Sequence, residues 1–290
     1  MNDLSAKTFF LLLVPSLPAG TLPAQQSHEQ PPAFAEPQVL EVRGGEGVYA
    51  LHLGASGCWL SVQQEGTEKV GQGHWTAEGT LTRGPALWAA EPGRAGALAV
   101  FPAGGRCVLT HSQEAPSSRG IVELGLYFAE RDSAGWSLTE AFPFNDPEFS
   151  NLHPALSSDG RTLVFASNRP GGFGGFDLYV SFLRPNGWSR PVNLGPEVNS
   201  PANEAYPFLA PDGKLYFASD APRNAQPPNF DLYFAIPTDP GFWAEKRPLG
   251  PPFNSPADDF NFLTTPTHTF FISNRAGSDR LFRTEAPPED

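Results

Sequence analysis

The sequence predicts an all-β chain folded as a β-propeller of four-stranded antiparallel blades, five in number with six as the alternative count. Three observations carry this expectation. The C-terminal half repeats itself at intervals of 52 to 55 residues. Each period holds four short β-branched, aromatic or aliphatic segments parted by Gly, Pro, Asp and Asn, the pattern of a meander. The composition, 29 Gly and 32 Pro in 290 residues, suits many strands and turns better than helices. A four-stranded meander cannot bury both of its faces alone, so neighbouring meanders must stack, and radial stacking makes a propeller.

Composition also limits function. With 40% hydrophobic and 17% charged residues the chain can bury a substantial core. Its net charge of −12 repels phosphate backbones and anionic lipid, which argues against nucleic acid and against direct membrane insertion. Two cysteines, Cys58 and Cys107, stand without Cys-x-x-Cys spacing or paired histidines, so no metal site is expected. An oxidising compartment would permit a disulfide between them, whereas the cytosol would keep both reduced.

Taken in order, Phe9 to Val14 form a short apolar run after Lys7, stopped by Pro15 and Pro18. A run this short cannot cross a bilayer and reads as a secretory signal, residues 1–24, cleaved after Ala24. The expected location is therefore periplasmic or extracellular. Residues 25–36 read as a flexible lead and 37–290 as one propeller, with blades starting near 48, 97, 152, 205 and 259. The two earliest blades are degenerate: Gly57-Cys58-Trp59-Leu60 marks the first, and Arg106-Cys107-Val108-Leu109-Thr110 the second, where Leu126-Tyr127 and Trp136 keep the later spacing. In the third and fourth, His153-Pro154-Ala155-Leu156-Ser157-Ser158-Asp159-Gly160 matches Tyr206-Pro207-Phe208-Leu209-Ala210-Pro211-Asp212-Gly213. Leu163 to Asn168 then answers Leu215 to Asp220, and Asp177-Leu178-Tyr179 answers Asp231-Leu232-Tyr233. Each of these units closes on a tryptophan, Trp188 or Trp243, and an Asn-Ser-Pro-Ala loop at Asn199 or Asn254. The fifth replaces the Asp-Gly turn by Thr265-Pro266-Thr267-His268 and ends after Arg280-Leu281-Phe282-Arg283 without an outermost strand. Val39-Leu40-Glu41-Val42 precedes the first unit with nothing to pair, so it is expected to complete the last blade and remove an open edge.

These motifs, together with Arg169-Pro170-Gly171-Gly172-Phe173-Gly174-Gly175, resemble the TolB-type, WD-repeat-like propeller repeat, and are similar to propellers beside OmpA-like domains in envelope proteins of Bacteroidota. The resemblance is close over about 150–257 and implies an envelope scaffold that binds a protein or a peptidoglycan-associated partner. The 290 residues read as one propeller, with no segment expected to form an OmpA-like domain or the N-terminal domain of TolB.

Propeller geometry puts the loop leading into each first strand and the loop between second and third strands on one face, around the channel mouth, which makes that upper face the expected binding surface. The aligned lead-in positions are Asn151, Glu204 and Asp258, each followed two residues later by a ring, His153, Tyr206 and Phe260. Arg169 and Arg275 sit in adjacent loops. All eight are candidate partner-binding residues. The structural alternative is that the rings pack between blades and the acids cap turns or pair with those arginines. Asp177 and Asp231 read as turn-fixing carboxylates, and Gly171 to Gly175 as a flexible loop, since no helix and lysine follow as a phosphate loop requires.

Chemistry finds less support. Five-bladed propellers also host glycosidases, and Glu204 with Asp258 would be the acid pair. No spaced Asp-box, no Gly-x-Ser-x-Gly elbow and no Asp-x-Asp-x-Asp-Gly calcium loop occurs. The reading is thus a monomeric, non-catalytic, cofactor-free propeller that binds an envelope partner, with a glycan-active enzyme, or a lectin-like module stacking sugar on Tyr206 and Phe260, as the alternative.

Overall fold

The computed structural model describes residues 35–286 apart from 45–46, 55–56, 65–66, 88–94, 134, 223–228 and 240. The signal segment and its cleavage site lie outside the described residues. Five small antiparallel sheets form a five-bladed β-propeller, and no helix occurs among the described residues.

The first strands of the blades run Val48–Gly54, Ala95–Val100, Asn151–Leu156, Glu204–Leu209 and Asp259–Thr264. In the third blade Thr162–Ser167, Asp177–Arg184 and the short Val192–Asn193 follow, each hydrogen-bonded to its predecessor. Gly160 and Gly213 close the first hairpins of blades three and four at φ of 69° and 86°, a left-handed conformation that glycine adopts without steric cost.

The Asn-Ser-Pro-Ala loops have a mechanical explanation. Asn199 accepts the Leu178 N–H at 2.7 Å and donates to the Leu178 carbonyl at 3.0 Å, and Asn254 does the same with Leu232 at 2.7 and 2.9 Å. One amide side chain thereby takes the N–H of a third-strand residue and adds a second donor to its carbonyl, which also accepts the Leu194 or Leu249 N–H just past the fourth strand. Asn145 performs this service for Leu126 in the second blade.

The core lies between blades. Val108, Phe128 and Phe142 of the second blade pack with Leu163, Phe165 and Tyr179 of the third, and Val164 and Val180 pack with Phe217 and Tyr233 of the fourth. Each fully buried phenylalanine contributes about 1.5–3 kcal/mol, so adjacent blades hold each other in place.

The ring closes as expected, with one difference. Gln38 and Val39 pair with Arg283 and Phe282 and supply the missing outer strand of the fifth blade. Val42 and Arg43, read above as part of the same strand, instead run parallel to Leu81 and Thr82 and add a fifth strand to the first blade. The segment divides at Leu40, whose buried side chain belongs to the core spanning the fifth and first blades.

Candidate functional site

At the upper face, the repeated residues build a buried node in each of three blades. Asn151, Glu204 and Asp259 stand opposite Ser167, Ser219 and Ser273, and all six are buried. A cation completes every node. Arg169 donates to Asn151 at 2.8 Å and lies over the rings of Phe165 and Tyr179 at 5.4 and 4.8 Å. Arg275 reaches Asp259 at 2.7 Å above Phe271 and Phe282. The fourth blade has Ala221 where its neighbours carry arginine, and Lys246 enters from a later loop to contact Glu204 at 3.1 Å above Phe217 and Tyr233. Glu204 also accepts from the Ser200 and Ser219 hydroxyls at 2.5 and 2.8 Å.

This register corrects the sequence alignment of the fifth blade by one residue. The partner of Ser273 is Asp259, so Asp258 is equivalent to Asn203 and Asn261, not Phe260, to His153 and Tyr206. Two adjacent aspartates allowed either phase, and the strand pairing decides between them. Asp258 is a stitch between blades: it accepts the Phe230 N–H at 3.0 Å and the Asn274 amide at 2.8 Å. Asn203 binds the Phe176 N–H in the same way.

The node and stitch residues are therefore not brought into a common pocket. Asn151, Arg169, Glu204, Asp258 and Arg275 hold the upper face together, and Glu204 and Asp258 do not face each other across a cavity as a hydrolytic pair would. Asp177 fixes its loop as expected, accepting N–H bonds from Phe173 and Gly174 at 2.6 and 3.0 Å. The glycine-rich loop, expected to be flexible, is pinned: Gly175 donates to the Ala202 carbonyl at 3.0 Å, and Gly174 lies so close to that carbonyl that no side chain fits.

The three predicted rings do converge. Every first strand carries an irregularity in its pairing near its upper end, and His153, Tyr206 and Asn261 occupy it at φ of 53°, 51° and 50°. A non-glycine residue adopts this region only under local constraint, and a bulge re-aims the side chain. His153 stacks on Tyr206 with centroids 3.8 Å apart, and Phe260 lies 5.0 Å beyond. These rings, with Tyr49 and Gly96, line a cavity of about 220 Å³ to which all five first strands contribute. Glu68 and Asp279 complete it from the second-to-third strand hairpins of blades one and five. The residues that follow the rings, Pro154, Pro207 and Asn261, line a smaller space of about 90 Å³ deeper in the channel.

Burial sets the electrostatics. It drives the His153 imidazole down to about 3, with a contribution from His52, which is itself held at about 3 by burial. Burial, then the charges of Glu68 and Asp279, push the Tyr206 hydroxyl well above its ordinary range. Burial and Glu68 do the same to Tyr49. Partial desolvation, reinforced by Asp258, raises Asp279. The mouth thus has neutral rings and a negative field.

Sequence reasoning missed Glu68 and Asp279. Neither belongs to the repeated motif, and no internal copy marks them. It also allowed a disulfide that does not form: Cys58 and Cys107 are separate buried thiols, packed in different core clusters and raised by burial to about 11 and about 12. They sit on second strands of neighbouring blades. Among the described residues, no three His, Cys, Asp or Glu side chains are grouped to hold a metal ion.

No protein-family model matches the chain, and no curated protein does. Solved structures similar to it include an exo-1,5-α-L-arabinanase from a bovine ruminal metagenomic library, with a TM-score of 0.53 and 11% identity over 82% of this chain and 92% of that one. An α-L-arabinofuranosidase from Lactobacillus brevis gives 0.50 and 12%, covering 82% of this chain and 90% of that one. TolB from Acinetobacter baumannii gives 0.49 and 12%, over 84% of this chain but only 55% of the TolB chain. At such identities these likenesses are of fold alone.

Proposed function

We propose that this chain is a non-catalytic propeller, periplasmic or secreted, that binds another envelope component, a protein or a peptidoglycan-associated partner, through its channel mouth. The observation that carries the reading is the cavity of about 220 Å³ on the propeller axis, lined from all five first strands. A concave site with convergent polar groups is the usual form of a recognition site, and Gln63, Glu68, Thr110 and Asp279 supply such groups here. Its surroundings are rigid, because stitches such as Asn203 to Phe176 and Asp258 to Phe230 tie successive blades around it.

The test is affinity capture of the tagged mature chain from envelope extract of its own source, beside a Glu68→Gln/Asp279→Asn variant. An identified partner retained by the first and lost by the second, with both folded, supports recognition through the mouth. A partner that ignores the variant moves recognition elsewhere.

A glycan-active enzyme or sugar-binding module is the second reading. It draws on Glu68 and Asp279 as the carboxylates at the mouth, since glycoside hydrolysis needs two acids flanking the scissile bond. Turnover of arabinosyl and related aryl glycosides, abolished by Glu68→Gln or Asp279→Asn, would establish it.

A further inference from the structure

We infer that Asn186 is a site of spontaneous covalent modification, closing with the Gly187 nitrogen to a succinimide and opening to an isoaspartyl linkage that unseats Trp188 from the contact between the second and third blades. The site lies on the outer hairpin of the third blade and is independent of the channel mouth.

The sequence holds one Asn-Gly step, at 186–187. The strand Asp177–Arg184 turns there into Gly187–Trp188, with Arg184 paired to Gly187 and Leu183 to Trp188, so Pro185 and Asn186 form the tip. Both residues of the step are exposed, and Gly187 has a φ of 101° with nothing near the position a side chain would take. The reaction needs that openness, because the following nitrogen must reach the asparagine side-chain carbon, and a bare glycine permits the closest approach. What singles out Asn186 is that nothing holds its amide. Every other described asparagine has its side chain in at least one hydrogen bond, whereas Asn186 has none among the described residues. Asn199 and Asn254, each followed by a small serine, are buried and bonded twice. The two Asp-Gly steps are held as well, since Asp159 accepts the Arg161 N–H and Asp212 the Lys214 N–H, each at 3.0 Å.

The step balances with water as the sole co-reactant. The Gly187 nitrogen gives its proton to solvent base and bonds to Cγ of Asn186, and the amide nitrogen leaves as ammonia. Water then opens the ring at one of its two carbonyls, giving aspartate or isoaspartate. Aspartate keeps the backbone, whereas isoaspartate adds a methylene to it at the tip, where turn length sets the register of the flanking strands. Trp188, one residue on, stacks on Phe128 of the second blade at 6.1 Å and meets Phe142 edge-on at 6.4 Å, so a shift of the hairpin reaches that contact. Because Gly187 pairs with Arg184, the tip opens before the nitrogen attacks, a local event that costs far less than global unfolding.

The experiment incubates the full chain in mildly alkaline buffer and maps its peptides by mass spectrometry, with enzymatic methylation of isoaspartyl carboxyls as a second readout. Asn186→Gln and freshly purified Asn186→Asp run beside it. The expected result is an acidic species that accumulates faster as pH rises, carries aspartate and isoaspartate at 186, and is lost in Asn186→Gln. The aged chain should show a lower Tm, while Asn186→Asp, which has the charge without the added methylene, keeps the starting value. No modification at 186, or modification of Asn199 or Asn254 at an equal rate in the folded chain, overturns the inference. An aged chain rich in isoaspartate but unchanged in Tm retains the site and overturns its effect on Trp188. A loss of Tm shared by Asn186→Asp overturns that effect also, since charge alone would then account for it.

Discussion

The upper face contains two sets of polar and charged residues that differ in whether they belong to the repeated motif. Asn151, Glu204 and Asp259 recur at one position of successive blades and are spent on internal bonds, to Arg169, Lys246 and Arg275. Glu68 and Asp279 come from the second-to-third strand hairpins of blades one and five, and both line the cavity. In a duplicated scaffold, a side chain present in every copy is explained by what every copy needs, which is closure against its neighbour. A side chain outside that repeated motif calls for a different explanation, and the channel mouth exists once per ring.

The sharpest way to break this contrast is to remove one member of each set. Glu204→Ala leaves Lys246 and two serine hydroxyls facing a void at a fully buried site, and is expected to cost about 3–5 kcal/mol in urea unfolding. If Glu204 can be removed at little cost, the repeated set is not scaffold.

A second test is a pH effect. Between the ordinary histidine value of 6.5 and about 3, the unfolded chain binds protons that the folded His52 and His153 refuse. Stability therefore falls as pH drops through that window, by about 1.4 kcal/mol per unit for each histidine, and their contribution is constant above it. The curve of unfolding free energy against pH should be shallower in His52→Gln/His153→Asn.

Smaller still, Glu68→Gln or Asp279→Asn should shift stability by no more than about 0.5 kcal/mol, while altering what the mouth binds. A large loss of stability would return these acids to the structural set. Last, reducing agent should leave Tm unchanged, and a thiol reagent should find Cys58 and Cys107 only after unfolding, since both are buried and uncrosslinked.

The same contrast explains what could be read from the sequence. Internal copies such as Leu163 to Asn168 and Leu215 to Asp220 reveal strands, blade starts and the closing edge, because the duplication repeats the hydrophobic alternation along with the turns. His153 and Tyr206 were legible as mouth rings for that reason, whereas Phe260 entered the set through the slipped register. The fifth blade slipped by one residue because Asp258 and Asp259 are chemically interchangeable in sequence, and only the pairing with Ser273 separates them. The division of the N-terminal segment at Leu40 was hidden, since Val39 and Val42 are equally strand-like and packing assigns them to different sheets. Glu68 and Asp279 were out of reach for a different reason. Hairpin ends far apart in the chain meet only once the ring has closed, and nothing local announces that meeting.

Closure also orders events in time. Residue 38 pairs with residue 283, so the first-made strand of the propeller waits for its last-made one. Until then the third strand of the last blade, once it has formed, has an open side, and open strand sides recruit other chains. Contacts between residues so distant along the chain are slow to form. The vulnerable interval for this protein therefore falls after most of the blades can already have stacked. Its productive yield should depend on how quickly a short segment near the N-terminus finds its place.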